Sequence, residues 1–494
     1  MRSQRRQNEV HIGVSTKPVM DASPIEEKPF CIAVLGDFSG RGGSGLAGVD
    51  LPLADRAVIS VDRDNFDAVM QQMAPALSGS RDTIRFNDLD DFHPDRLIQR
   101  LALFQSLRET RARVSDPAGF AAIKRGLAAD EQSPEGHTLA PVAVPDNLLD
   151  QIVGENDGVV AEDASDLHSF IRRVVTPHLV PDVEPTQREM LNGIDLSITD
   201  HLRRILQHPD FKALEALWRG VFFLIRRLQT SSDLRVYLVD LSREELVADQ
   251  DPQMPLQETG LFKSLVESSI GTPGAVKWAA FAGAYQFGPS LDDAKLVARL
   301  ATIAQLAGAP WISGALPAIV GCPSFGADVD PSNWTGDAGE AWAAVRLLPQ
   351  ASALGLAMPR FLLRLPYGSA TDPCEEMEFE EFADDVVPHE GYLWGNPTFV
   401  CAYLLGKSYE SAGWDLRPGM HLEVDRVPIH ITKAKEGAAA KPCAEALLTV
   451  RAAERIMEHG LMPLVWLKDT DTVRLARFQS VAEPPTALAG GWGM

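Results

Sequence analysis

The residues best placed to do chemistry follow the first apolar run of the chain. Phe30–Leu35 (FCIAVL) empties into a glycine-rich stretch, Gly36-Asp37-Phe38-Ser39-Gly40-Arg41-Gly42-Gly43-Ser44-Gly45. A strand followed by such a turn is the setting in which backbone N–H groups cradle a phosphate. Here no G-K-[ST] occurs, so the lysine that reaches terminal phosphates is missing. The loop also leads to another apolar run, Ala57–Val61, with no helix N-terminus behind it. A flexible loop is the plainer reading, and a nucleotide- or phosphate-binding enzyme using Gly36–Gly45 is kept as an alternative.

Other nucleophile and ligand signals are sparse. Ser39 lies in G-D-F-S-G, which is not the G-x-S-x-G elbow. Cys374 sits among carboxylates that would raise its pKa. His201 and His208 are seven residues apart on an expected helix, about 10 Å by helical rise and too far to share an ion. His389, next to Glu390, and His430 are isolated in sequence. No catalytic, cofactor or metal residues are expected. The run from Thr371 to Glu390 holds nine carboxylates and no Lys or Arg. Paired carboxylates could serve glycoside hydrolysis, but a run this dense reads as a solvated loop or a docking surface for a basic partner.

Composition narrows the classes. Among 494 residues, 46 Lys+Arg against 68 Asp+Glu give a formal charge of −22. That balance disfavours general nucleic-acid binding, which needs clustered cations against phosphate. Cys31, Cys322, Cys374, Cys401 and Cys443 are odd in number and widely spaced, so neither a disulfide framework nor a zinc site is suggested, and a reducing cytoplasm is the simplest setting. MRSQRRQNEV is basic, but no apolar segment follows, so no secretory signal is expected. Leu300 to Ala327 carries no charge, yet Pro310, Pro317 and Pro323 interrupt it. It reads as a helix ending near Gly308 followed by a buried strand at Trp311–Ala315, and no membrane span is expected.

The elements that must carry these residues alternate. Strands are expected at Phe30–Leu35, Ala57–Val61 and Thr83–Phe86, with a helix opened by Asp64 as N-cap. A further helix starts at Asp90-Asp91 and Pro94, with Leu97, Leu101, Phe104 and Leu107 at helical spacing. Residues 115–145 shift to Pro, Ala, Gly and acid around one weak helix and read as a linker. Beyond it, a helix is expected over Ile198–His208, then one capped by Asp210 with a broad stripe of Phe211, Leu214, Leu217, Trp218, Val221, Phe222 and Ile225. Strands are expected at Leu234–Val239, near 278–284, at 311–315, Leu354–Met358, Phe361–Leu365, Cys443–Val450, Leu464–Leu467 and Val473–Phe478, with helices near 258–268 and 291–306. The pattern predicts an α/β fold with mixed, largely parallel sheets covered by helices.

Particular segments resemble a known family. HPDFKALEALWRG (208–220), MPRFLLRLPYG (358–368), YLWGNPTF (392–399) and residues 441–471 resemble the large subunit of the type VI secretion contractile sheath, TssC or VipB. PFCIAVLGDFSG (29–40), VDRDNFDAVM (61–70) and IRFNDLDDFHPDRL (84–97) resemble the small subunit, TssB or VipA. The resemblance implies a small lobe over 29–114, the linker, a large lobe over 146–482, a flexible 1–28 and a short tail 483–494. The two lobes are expected to fold together as one body. It marks Gly36, Asp37, Phe38, Asn65, Phe66, Trp218, Pro359, Arg360, Leu363, Arg364, Pro366, Tyr367, Gly368, Trp394, Gly395 and Asn396 as structural motif positions.

For function, the resemblance implies a cytoplasmic structural polymer and no enzyme. Subunits would join by non-closing contacts and strand addition around an Hcp-like inner tube, and the polymer would pass from a metastable extended form to a contracted one. Sheath subunits, the tube protein and baseplate components are the implied partners, with a recycling AAA+ ATPase as a further one. Arg219, Arg226, Arg227, Glu375, Glu376, Glu378, Glu380 and Glu381 are the candidate interface residues, the three arginines through ion pairs, with ordinary surface arginines as their other reading. Family large subunits continue past the position of Phe478-Gln479-Ser480, where this sequence has VAEPPTALAGGWGM, so an accessory or capping adaptor is the alternative role.

Overall fold

The computed structural model describes residues 28–42, 52–78, 83–130, 186–267, 277–326, 329–336, 338–383, 387–434 and 437–492. Strand β1 (Phe30–Gly36) is buried at every position, as a strand covered on both faces must be. Its side chains alternate between two cores. Phe30, Ile32 and Val34 belong to one hydrophobic cluster, and Cys31, Ala33 and Leu35 to the other.

The chain runs on through β2 (Val58–Val61), a helix over Phe66–Met73, a hairpin of β3 (Ala76–Ser78) and β4 (Thr83–Arg85), and helices over Pro94–Arg100, Ala102–Ser115 and Pro117–Asp130. After residues 131–185, which lie outside the described part together with half of the expected linker, come helices over Gln187–Gln207 and Pro209–Arg227. Then follow β5 (Leu234–Asp240), β6 (Trp278–Phe287), the helix Leu291–Ala307, β7 (Trp311–Ala315) and β8 (Leu354–Met358). The remainder holds β9 (Phe361–Arg364), β10 (Leu393–Gly395), the helix Thr398–Ala412, β11 (Glu423–Val424), the hairpin β12 (His430–Ala434) and β13 (Gly437–Lys441), the helix Val450–Glu458, β14 (Met462–Trp466) and β15 (Val473–Leu475).

Nine strands form one sheet in the order β11-β15-β14-β8-β7-β6-β1-β5-β2. The run from β14 to β5 is parallel, and β2, β15 and β11 add antiparallel edges. The fold is mixed α/β, as the alternation of apolar runs predicts. The N-terminal strand β1 sits inside the sheet, pairing β5 along all seven of its residues and β6 on the other side. The helices Pro209–Arg227 and Thr398–Ala412 cover one face, and Leu291–Ala307 covers the other.

Several boundaries differ from expectation for identifiable reasons. The helix expected at Ile198 begins at Gln187, because Thr186 and Glu189 form a capping box: the Glu189 N–H donates to Thr186 Oγ1 and the Thr186 N–H to the Glu189 carboxylate. The Pro209–Arg227 helix is capped by His208, whose Nδ1 accepts the Asp210 N–H at 3.3 Å, and not by Asp210. His93-Pro94-Asp95 repeats this device, His93 Nδ1 accepting the Asp95 N–H at 3.2 Å. In both, proline takes the first helical position, where its missing N–H costs nothing. Asn65, not Asp64, precedes the Phe66 helix; the Asp62 carboxylate accepts the N–H groups of Asp64 and Asn65. The helix expected through Leu107 breaks at Leu101, which is extended. Thr83–Phe86 falls in a separate hairpin. The strand expected at Cys443–Val450 is replaced by a single bridge, Phe361 to Ala444, and Thr449 caps a helix starting at Val450.

Among the described residues, no helix is long and apolar enough to cross a membrane. The uncharged stretch is a helix ended by Gly308 in the left-handed conformation, then β7.

Candidate functional site

Three ion-pair clusters and one pair of arginine–aromatic contacts lie on the described body. At the end of β1, the glycine-rich turn closes on carboxylates. Asp37 accepts the N–H groups of Arg41 (2.9 Å) and Gly42 (2.8 Å), and Asp240 at the end of β5 accepts that of Ser39 (3.1 Å). These are the donors a phosphate cradle would need, and two acids already hold them. Arg41 pairs with Asp240 at 2.9 Å, and Arg56 with Glu245. Burial, aided by the Asp240 charge, pushes the Asp37 carboxyl up to about 6. Burial also pushes on Glu245, but its bonds to Arg56 and the Ser242 N–H outweigh that and hold it at about 2. Gly43, Ser44 and Gly45 lie outside the described residues.

A second cluster lies within the Pro209–Arg227 helix. Glu215 falls in the apolar stripe and is fully buried. Its carboxylate accepts from Arg364 Nε (2.7 Å) and Nη2 (3.0 Å) and from Arg219 Nε (2.7 Å). Arg364 Nη1 reaches Glu381 at 2.9 Å, and its guanidinium lies 4.1 Å from the Tyr367 ring centroid. Tyr367 receives Arg219 Nη2 on its hydroxyl at 3.1 Å. Burial would raise the Glu215 pKa, yet the charges of Arg364 and Arg219 overcome it and the pKa is lowered.

The acidic run is thereby divided. Glu381 is buried and accepts the Tyr367 N–H, so the chain itself uses this carboxylate and it is not offered to a partner. Asp95 accepts the Cys374 thiol (2.6 Å) and the N–H groups of Glu375 and Glu376. Glu376 also pairs with Arg108 at 3.0 Å. The Glu380 carbonyl accepts Arg203, its carboxylate accepts Ser369, and Glu378 lines a cleft beside Arg108 and Asp195. The run is a strap bound to the body at both ends of its described part rather than a free solvated loop. Burial, then the bond to Asp95, push the Cys374 thiol up to about 12.

The third cluster is Arg360 with Glu390, Glu445 and His389. Arg360 Nη2 lies 2.6 Å from Glu445 and 3.1 Å from Glu390, and His389 Nε2 lies 3.2 Å from Glu445. Possible metal-ligand atoms of His389, Glu390 and Glu445 come within 4.8 Å of one another, but the arginine already neutralises the carboxylates. Burial pushes Glu445 up, and the His389 and Arg360 bonds reverse this and hold it at about 2. His389 and His430, isolated in sequence, are both engaged; His430 Nδ1 lies 2.9 Å from the Tyr392 hydroxyl. A cleft of about 520 Å³ opens beside this cluster, lined among others by Lys212, Leu217, Arg360, Tyr392 and Trp394.

The pair of arginine–aromatic contacts ends the Pro209–Arg227 helix. Arg226 lies over Phe222, and Arg227 over Phe223 while donating to the Arg426 carbonyl.

The remaining motif residues are structural contacts. Phe38 and Phe66 pack edge-on against Trp218, whose Nε1 donates to the Phe38 carbonyl at 3.0 Å. Gly36 faces Leu217 so closely that a Cβ would lie 2.8 Å from it, Gly368 faces Glu380, and Gly395 faces Leu363. Asn65 Nδ2 donates to the Ser60 carbonyl, and Asn396 Nδ2 to that of Tyr285. Trp394 Nε1 donates to the His389 carbonyl, Pro359 separates β8 from β9, and the Pro366 carbonyl accepts Thr371. Sequence reading missed Glu215, Lys212, Asp240, Glu245 and Glu445. Glu215 carried a local signal, a charge inside an apolar stripe with Arg219 four residues on, and Glu245 another, the S-x-x-E spacing of a capping box with Ser242.

The clusters described are joined largely by internal ion pairs on a covered, largely parallel sheet. Residues 188–482 match the VipB family model, described as EvpB/VC_A0108, tail sheath N-terminal domain, and the chain belongs to that family. Residues 2–119 match a second model, described as type VI secretion system, VipA, VC_A0107 or Hcp2, so the chain joins a VipA-type and a VipB-type segment. It is similar to the type VI secretion system sheath protein TssC1 of Pseudomonas aeruginosa, with 30% identity over 305 residues that cover 60% of this chain and 61% of that protein. The chain thus spans 61% of the length of the curated relative it matches.

Proposed function

We propose that the chain is a structural subunit of a type VI secretion-like contractile sheath, in which small- and large-subunit roles reside in one polypeptide. The observation that carries this reading is the seat of β1 between β5 and β6, by which the VipA-type segment supplies a central strand to the VipB-type sheet. The domain organisation that goes with it is a small part at 29–114, a large part at 146–482 and a connector between them. A rigid body of this kind suits a polymer whose subunits slide between two packings. Strand addition at an exposed sheet edge is the tether, each main-chain bond contributing about 1 kcal/mol net.

Its partners in this reading are further sheath subunits, an Hcp-like inner tube, baseplate components and a recycling AAA+ ATPase, all in the cytoplasm. Candidate contacts are the exposed carboxylates of the strap and the arginines closing the Pro209–Arg227 helix. Electron microscopy of the purified chain, alone and with co-encoded sheath subunits, tests the proposal. Tubes or stacked rings from the single chain support it. Discrete particles bound only to the ends of another sheath would make the chain a capping adaptor instead.

A further inference from the structure

Independently of the sheath reading, we propose that His93 is a proton-sensitive latch on the acidic strap, holding its first end at neutral pH and releasing it in mild acid. That end, Asp372 to Glu376, sits on the first turn of the Pro94–Arg100 helix. There Asp95 Oδ1 accepts the Cys374 thiol (2.6 Å) and the Glu376 N–H (3.0 Å), and Asp95 Oδ2 accepts the Glu375 N–H (3.0 Å). Gln99 Nε2 adds a bond to Glu376 Oε1 at 2.8 Å. His93 fixes this seat: its Nδ1 accepts the Asp95 N–H at 3.2 Å, and its ring lies edge-on to Tyr367 with 4.9 Å between centroids.

Accepting that N–H requires a bare Nδ1, so the cap exists only while the ring is neutral. Histidine is the side chain whose charge changes between about pH 5 and 8, and the His93 ring is partly exposed, so solvent protons reach it. Once protonated, Nδ1 carries a hydrogen and must donate. The carboxylate oxygen facing it is Asp95 Oδ2, 3.4 Å away. That oxygen is the one that holds Glu375, so protonation draws the seat's own acceptor away from the strap. Asp372 also faces the ring, 3.8 Å from Nε2, but it is exposed and its pull contributes little. Burial pushes the Asp95 carboxyl up, yet the bonds from Cys374 and the Glu375 and Glu376 N–H groups outweigh it and hold it below the ordinary aspartate range. Mild acid therefore acts on the imidazole and not on this carboxylate.

The far end of the strap is held by arginines, which keep their charge throughout. The Glu380 carbonyl accepts Arg203, and Glu381 pairs with Arg364, so release frees residues 372–376 about a fixed base. It also parts Glu376 from Arg108 and Gln99. His208 repeats the cap on the Pro209–Arg227 helix, with Asp210 as the carboxylate facing it at 3.8 Å, and supplies a control.

The test follows Cys374 in the full-length protein, since the other four cysteines are buried. Its labelling by 4,4′-dithiodipyridine, located by peptide mass spectrometry, is divided by that of a synthetic peptide of residues 371–378 at the same pH, which removes the reagent's own pH dependence. From about pH 7.5 to about pH 5.5 the protection of Cys374 is expected to fall at least about tenfold. His93→Asn, whose amide oxygen caps the same N–H without titrating, should keep its protection at both pH values, and His208→Asn should lose it as the wild type does. Far-UV circular dichroism checks that each variant is folded at both pH values. Protection in the wild type that does not change with pH, or a fall that survives in His93→Asn or disappears in His208→Asn, overturns the proposal.

Discussion

Arg364 on β9 grips both carboxylate oxygens of Glu215, at 2.7 and 3.0 Å, although the two residues stand 149 positions apart and Glu215 has no exposure. Neither charge is stable there alone. Replacing Arg364 by Met leaves Glu215 and Glu381 buried without their shared cation, and should cost about 3–5 kcal/mol. Arg364→Lys should recover only part, since an ammonium cannot span two carboxylates as a planar fork does. Urea denaturation of both variants checks the order; equal stability of wild type and R364M would refute the assignment.

Gly220 on the Pro209–Arg227 helix lets Phe399 of the Thr398–Ala412 helix approach so closely that a Cβ would lie 2.2 Å from its ring. Gly220→Ala should therefore destabilise by about 1–3 kcal/mol, despite alanine's better helix propensity. Adding Phe399→Leu should recover part of the loss, giving a non-additive cycle by thermal or urea unfolding.

Glu445 ties β9 to the segment before the Val450 helix. Its pKa in the folded chain, about 2, lies below the usual glutamate value of 4.5. The stability it contributes is present above about 4.5 and is lost as pH falls towards 2. Glu445→Gln should cost about 1–3 kcal/mol at pH 7 and flatten the acid limb of the stability profile. An unchanged acid limb would refute this.

Asp37 has the opposite sign. Its pKa in the folded chain, about 6, is above the usual aspartate value of 3.8, so its charge costs stability that grows between 3.8 and 6 and is fully present above 6. Lowering the pH from 7 towards 4 should relieve that cost. The stability of Asp37→Asn relative to wild type should fall by about 1–3 kcal/mol over the same interval. Paired urea titrations across pH measure the difference.

Because β1 pairs on both sides with strands from beyond residue 230, cutting the connector should not release the N-terminal part. Limited proteolysis within 115–145 should give fragments that co-elute on a sizing column in native buffer and separate in urea. Separate folded monomers would contradict the β1 pairing.

The local sequence determined many of the elements, though not the helix Thr398–Ala412, the β12–β13 hairpin or the helix that replaces the strand expected up to Val450. All-apolar runs such as FCIAVL could only be strands covered on both faces, the stripe from Phe211 to Ile225 required a buried helix, and the motif segments carried the family resemblance. Element ends were harder to read, because side chains such as those of His208, Asp62 and Glu189 compete for the same few N–H groups. The tertiary structure alone decided which strand lies beside which, that Asp240 would seal the glycine turn, that Glu215 would meet Arg364, and that part of the acidic run would turn inward. These depend on contacts across 100 to 200 residues, whose cost in chain entropy is recovered only when the whole sheet assembles, and no short stretch of sequence records them.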